Sequence, residues 1–116
     1  MKAIIIDDSR LARNELKRLL QDHDTIIPIA EASNADEAIE KIESEKPDLI
    51  FLDIQMPGKD GFELLQELEF LPEVIFTTAY NEYALKAFEY NAIDSLLKPI
   101  EPDRLSAAVS KFSEKI

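Results

Sequence analysis

The segment P-D-L-I-F-L-D-I-Q-M-P-G-K-D-G, Pro47 to Gly61, places a short apolar run between a proline and a carboxylate. Asp48-Leu49-Ile50-Phe51-Leu52 has no polar alternation, which is the pattern of a strand buried on both faces. The run stops at Asp53, and the chain then turns at Met56-Pro57-Gly58. The protein has only two glycines, Gly58 and Gly61, and both fall in the loop after Asp53. Backbone freedom is therefore concentrated at one place. In an open parallel sheet, ligands bind outside the carboxyl ends of the strands, which is where Asp53 would stand.

Working outward, the same grammar repeats. Upstream, Asn34-Ala35-Asp36-Glu37 has the form of a capping box, and Ala35, Ala38, Ile39 and Ile42 make one helical stripe that Pro47 ends. Before it, Thr25 to Ala30 reads as a strand, with Pro28 assigning it to a sheet edge. Lys2 to Ile6 is the first strand and runs into Asp7-Asp8. Ser9 can cap the next helix, whose stripe is Ala12, Leu16, Leu19 and Leu20.

Downstream, Gly61 to Leu68 reads as a helix that Pro72 closes off. Val74-Ile75-Phe76 is a buried strand ending in Thr77-Thr78. Asn81 to Tyr90 is a helix, and Ser95-Leu96-Leu97 is a short strand ending in Lys98-Pro99. Pro102 suits the first turn of a last helix carrying Leu105, Ala108, Val109 and Phe112. Strand and helix alternate five times. That implies an α/β domain spanning residues 1–116, with one doubly wound five-stranded parallel sheet and helices on both faces.

Composition narrows the function. The chain has 116 residues, enough for one core, and a net charge of −11. Such an acidic domain is unsuited to gripping nucleic acid or an anionic membrane by itself. It has no cysteine, so disulfides and thiolate metal sites are excluded. No run reaches transmembrane length and no leader opens the chain, which points to the cytoplasm.

The polar residues at the strand ends converge on one crevice in such a sheet. They are Asp7 and Asp8, then Asp53, then Thr77 and Thr78, then Lys98. Two carboxylates 4 Å apart repel by about 4 kcal/mol at an effective dielectric near 20. A cluster of three calls for a cation, and all-oxygen ligation by few protein groups suits Mg2+. Lys98 is a compact charge suited to a phosphoryl oxygen.

Taken together, Asp7-Asp8, Asp53 with the following Met-Pro-Gly, Thr78-Ala79 and Lys98-Pro99 resemble the receiver domain of bacterial two-component response regulators. The resemblance covers the whole chain. The stretch Val74 to Ala84 resembles more narrowly the receivers of LytTR-type transcription regulators. The resemblance implies a flavodoxin-like strand order 2-1-3-4-5. It makes Asp53 the acceptor of a phosphoryl group from a sensor histidine kinase. Asp8, Asp53 and the Gln55 backbone carbonyl would bind Mg2+ directly, and Asp7 through water. Thr78 and Lys98 would contact the phosphoryl oxygens, beside Ala79. Pro99 is the candidate cis-proline. Tyr80 and Gln55 flank the site as modulators of water access. Ser95 departs from the family, which often carries an aromatic switch residue three positions before the lysine.

The resemblance also implies pairing of two copies through the face made by the fourth helix, fifth strand and fifth helix. Here that face carries Glu82, Lys86, Glu89, Asp94, Arg104 and Lys111. DNA would be reached only through a separate effector domain. His23 reads as an exposed structural residue and Asp60 as a solvated or capping one. Tyr83 and Phe88 read as core or interface packing. Periodicity leaves the choice between Thr77 and Thr78 open, and the family pattern selects Thr78.

Rival readings fit less well. A flavin module needs a phosphate-cradling loop where Asp7-Asp8 stands. A calcium loop starting at Asp53 has Gln55 and Pro57 at ligand positions and Leu64 at the twelfth. A Mg2+-dependent aspartyl-phosphate hydrolase needs a general acid where Gln55 stands. A binding module that never meets phosphate leaves the polar constellation without a purpose.

Overall fold

The computed structural model describes residues 1–116. The chain runs β1 (Lys2–Ile6), α1 (Arg10–Leu20), β2 (Ile27–Ala32), α2 (Ala35–Glu45), β3 (Leu49–Asp53), α3 (Gly61–Glu67), β4 (Glu73–Thr78), α4 (Ala84–Glu89), β5 (Asp94–Leu97) and α5 (Pro102–Lys115). A 3-10 turn over Asn81–Tyr83 leads into α4. The strands form one parallel sheet in the order β2-β1-β3-β4-β5. This is the flavodoxin-like order.

Side-chain alternation divides the interior into two cores. Ile4, Ile6, Ile50, Leu52, Val74 and Phe76 point to the face covered by α2, α3 and α4. Ala3, Ile5, Phe51, Ile75 and Leu96 point to the face covered by α1 and α5. All five residues of β3 are buried, which is why that strand shows no polar alternation. Phe51, Phe76 and Phe112 are fully buried, and truncating a phenylalanine in such a core costs about 3–5 kcal/mol.

The helix starts follow their capping residues. Ser9 Oγ accepts from the Ala12 N–H at 3.2 Å, and Asn34 Oδ1 from the Glu37 N–H at 2.9 Å. The box read at Asn34 is only half formed, because Glu37 Oε1 accepts from the Ser33 N–H instead. A complete box forms at Asp60, where Glu63 N–H bonds Asp60 Oδ1 at 2.8 Å and Asp60 N–H bonds Glu63 Oε1 at 3.0 Å. It fixes where α3 begins, directly after the loop that follows Asp53.

Several boundaries differ from the sequence reading by one or two residues. β2 begins two residues later than Thr25, because Ile26 donates to the His23 carbonyl in a turn and pairing starts when Ile27 donates to Met1. β4 begins one residue earlier, at Glu73, and ends at Thr78 as read. The helix read from Asn81 opens instead with the 3-10 turn, since neither the turn nor α4 has a side-chain cap. Phe88 is not in the core but 79% exposed, and Ala87 is the buried residue of α4. His23 is half-buried, with Nε2 3.4 Å from Ser106 Oγ on α5.

Candidate functional site

The parallel order brings the carboxyl ends of β1, β3, β4 and β5 to one edge. Asp7 follows β1, Asp53 ends β3, Thr78 ends β4 and Lys98 follows β5. Asp7, Asp8 and Asp53 each offer a carboxylate oxygen, and these three atoms lie within 4.8 Å of one another. Asp7 and Asp53 are buried and Asp8 is exposed, so the cluster has one open side.

Lys98 is the cation of the crevice. Its Nζ is 2.7 Å from Asp7 Oδ2 and 3.5 Å from Asp53 Oδ1. The Lys98–Pro99 peptide bond is cis. Asp7 is held from three directions: Oδ1 accepts from the Ser9 N–H at 2.9 Å, Oδ2 from Lys98, and its carbonyl from Arg13 Nη1 at 2.7 Å.

These contacts set the charge balance. Burial, then the charge of Asp7, push the Asp53 carboxyl up to about 7, with Lys98 opposing. Burial alone would lower Lys98, but its hydrogen bond to Asp7 and the charge of Asp53 hold it above the usual lysine range. One ammonium faces three carboxylates, which leaves two negative charges unmatched when all are ionised. An all-oxygen donor set with that excess fits a hard divalent cation such as Mg2+.

Around the cluster, Thr78 is buried and Tyr80 and Ala79 are exposed. The Thr78 hydroxyl accepts from the Tyr80 N–H at 3.0 Å, so it is engaged locally. Thr77 lines a different space, a groove of about 260 Å³ on the α1/α5 side, with Lys98, Leu11 and Ile100. Gln55 is exposed, and its Nε2 donates to Tyr83 Oη at 2.8 Å. Ser95 is half-buried, and its backbone N–H donates to Asp94 Oδ1 at 2.8 Å. Gly61 lies so close to the site that a Cβ there would stand 2.8 Å from the Asp53 carbonyl oxygen.

Sequence reading missed the Gln55–Tyr83 bond and the second bond of its kind, Gln66 Nε2 to Tyr90 Oη at 3.0 Å. The available signal was a pair of tyrosines seven positions apart on one helical stripe, each with a polar tip that needs a partner when packed. Sequence reading placed Asp94, Arg104 and Lys111 on one face but did not show their pairing, in which Asp94 gathers the other two, each at 3.1 Å. These contacts, with the Ser95 N–H, hold its carboxyl below the usual range despite burial.

The comparisons with known proteins agree with this fold. A family model described as the response regulator receiver domain matches residues 3–110. A response regulatory protein of Vibrio cholerae is 52% identical over 97% of this chain and 48% of its own length. A sensory transduction protein, LytT, of Enterococcus faecalis is 42% identical over 100% of this chain and 49% of its own. The chain thus spans about half the length of the curated relatives it matches. The response regulatory domain of Klebsiella pneumoniae protein mrkE superposes with a TM-score of 0.88 at 32% identity, covering 99% of this chain and 97% of that one. With a whole-domain match to the family model and relatives of this similarity, the chain belongs to the receiver domains of response regulators, and its relatives include regulators of the LytT and LytR kind.

Proposed function

We propose that Asp53 is the phosphoacceptor, taking a phosphoryl group from a phosphohistidine of a sensor histidine kinase. The observation that carries the reading is the convergence of Asp7, Asp8 and Asp53 within 4.8 Å, with Lys98 between two of them. In the transfer, an Asp53 oxygen forms the bond to phosphorus as the phosphorus–nitrogen bond breaks. The imidazole leaves with its electron pair.

Each residue then has a defined task. Asp7, Asp8, Asp53 and the Gln55 carbonyl would hold Mg2+, which when bound supplies charge neutralisation for the phosphoryl oxygens. Lys98 is near enough to Asp53 to shift from Asp7 onto a phosphoryl oxygen. The Thr78 hydroxyl, which accepts from the Tyr80 N–H, would turn its own proton to a second oxygen and donate to it. Positioning and electrostatics carry such a transfer, with little covalent chemistry left to the protein. The domain is a signalling switch, and its chemistry is confined to its own phosphorylation and dephosphorylation.

Two surfaces suit the partners. The groove beside Lys98 opens next to Leu11, which is 80% exposed on α1, and could seat the kinase element bearing the histidine. On the output side, Leu85 and Phe88 stand three apart on one stripe of α4, 81% and 79% exposed. They favour pairing of two copies through α4, β5 and α5. DNA would be reached through an effector domain of the longer regulator.

Incubation with acetyl phosphate and Mg2+ tests the assignment. Intact-mass analysis should find one added phosphoryl group on the wild type and none on Asp53→Asn. Equal labelling of both would overturn it.

A further inference from the structure

Two tyrosines bracket α4, and each is held by a glutamine from the α3 side. Gln55 Nε2 donates to Tyr83 Oη at 2.8 Å, and Gln66 Nε2 donates to Tyr90 Oη at 3.0 Å. Phe62 packs against both rings, with centroids 6.2 Å from Tyr83 and 4.9 Å from Tyr90. Lys86 Nζ sits 4.5 Å from the centre of the same Phe62 ring. Little else fixes this helix. It has six residues, no side-chain cap and one buried residue, Ala87. A helix so short does not hold itself in water, so its tertiary contacts set its position.

The two ends of this clamp are anchored differently. Gln66 belongs to α3, whose inner face is buried at Phe62, Leu64 and Leu65. Gln55 instead follows Asp53 by two residues. Its backbone is pinned, because Ile54 is buried and donates to the Thr77 carbonyl at 3.0 Å. Tyr83 is also reached from Thr78. The Tyr80 N–H bonds the Thr78 hydroxyl at 3.0 Å, and the Tyr80 ring meets the Tyr83 ring edge-on at 6.3 Å. Asp53 and Thr78, the two groups that would contact a phosphoryl group, therefore both lead to Tyr83.

We propose that Tyr83 is a positioning residue for Gln55, and that the Gln55–Tyr83 bond is the releasable end of a two-point clamp on α4. The Gln66–Tyr90 bond is the fixed end. The inference rests on Asp53 being the phosphoacceptor. When the Thr78 side chain rotates and carries its hydroxyl oxygen toward an oxyanion at Asp53, the Tyr80 N–H loses its acceptor. Tyr80 and Tyr83 then shift together, and the Tyr83 hydroxyl leaves Gln55. α4 pivots about Tyr90, and the freed Gln55 carboxamide can donate toward the oxyanion. Such a segment rearrangement is a known way for a local charge change to reach a distant surface. It supplies a route to α4 in a chain that has Ser95 where an aromatic switch residue would stand.

Hydrogen exchange of the amides in 81–89 tests this, using Mg2+ and beryllofluoride to occupy Asp53. The variants are Tyr83→Phe and, as the matched control, Tyr90→Phe. Each loses one hydroxyl and keeps its ring. At protein concentrations low enough to keep the domain monomeric, beryllofluoride should speed exchange in wild type by roughly two- to tenfold, the loss of about one net hydrogen bond. Tyr83→Phe should exchange at that faster rate already and respond little to beryllofluoride. Tyr90→Phe should keep the full response. If Tyr83→Phe keeps wild-type basal exchange and response, or if both variants change alike, the proposal is overturned. Fluorine spectroscopy of the same samples reports whether beryllofluoride binds. Absence of binding to wild type would overturn the phosphoacceptor reading and this inference with it, whereas binding without a Tyr83 effect overturns the inference alone.

Discussion

Lys98 and Asp7 stand 91 residues apart in sequence, yet the lysine Nζ lies 2.7 Å from Asp7 Oδ2 and only 3.5 Å from Asp53 Oδ1. The ammonium thus rests on the neighbour of the proposed acceptor. Asp53 is left buried beside two like charges, and its carboxyl is pushed up to about 7. The crevice is electrostatically unfavourable without a further cation, and this has consequences that can be measured on the purified domain.

The first concerns pH. A carboxyl whose folded pKa lies above its ordinary value of 3.8 binds its proton more tightly when folded. Its stabilising contribution is complete below about 4 and is lost as pH rises toward about 7. In EDTA, Asp53→Asn should therefore be close to neutral at pH 4. It should stabilise the domain by on the order of 2 kcal/mol at pH 8, after allowance for solvent screening. Urea unfolding of both proteins at the two pH values checks it. A difference independent of pH would contradict the burial and repulsion assigned to Asp53.

The second concerns metal. Magnesium bound to the folded state alone should raise stability by mass action, by about 1.4 kcal/mol at ten times its Kd. That corresponds to roughly 5 °C in Tm for a domain of this size. Asp8→Ala removes the exposed ligand and should abolish the shift while leaving the metal-free protein at least as stable, since one like charge is gone. A wild-type melt that does not move in millimolar magnesium would refute the cation site.

The third concerns the glycines. At Gly61 an added Cβ would stand 2.8 Å from the Asp53 carbonyl oxygen and 3.2 Å from Ile54 Cα, both backbone atoms that cannot swing aside. Gly61→Ala should cost about 1–3 kcal/mol through overpacking and should slow labelling by acetyl phosphate. Gly58 has φ +81° and open space around its Cβ position. Its replacement by alanine should cost about 1–2 kcal/mol through backbone strain and leave labelling nearly unchanged. Labelling slowed equally in both variants would show that the tight approach at Gly61 does not position Asp53.

Much of this was readable from the chain itself, for a physical reason. In a parallel α/β sheet every strand ends at the same edge, so Asp7, Asp53, Lys98 and one of the Thr77–Thr78 pair needed only strand assignments to be placed together, and the family pattern was needed to select Thr78. The buried strands gave those assignments through continuous apolar runs. α4 was less legible because its sequence is apolar on more than one side. The stripe Tyr83, Ala87 and Tyr90 competes with one through Leu85 and Phe88, and periodicity does not rank them. The packing around Phe62 decides, and that partner comes from a helix some twenty residues away. The sequence placed a mix of charges on the α4, β5 and α5 face without showing which of them are already paired within the chain. Asp94 is taken up by Arg104 and Lys111, and Lys86 turns over Phe62.

The last prediction follows from that reassignment. With Asp94, Arg104 and Lys111 bonded within one copy, attraction between opposite charges contributes little to pairing across a two-fold axis. The exposed apolar residues remain: Leu85 at 81%, Phe88 at 79% and Leu97 on β5 at 44%. Dimerisation on occupancy of Asp53 should then be driven by apolar burial, and should weaken little between low salt and 0.5 M salt, where an ion-paired interface would be screened. A buried phenylalanine side chain contributes about 1.5–3 kcal/mol. Phe88→Ala should therefore weaken dimerisation by roughly ten- to a hundredfold, whereas Arg104→Ala should change it far less. Because Phe88 is exposed, its replacement should leave the melting temperature of the monomer nearly unchanged. Sedimentation equilibrium with magnesium and beryllofluoride measures each constant. Association lost on adding salt, or untouched by Phe88→Ala, would move the interface away from the outer stripe of α4.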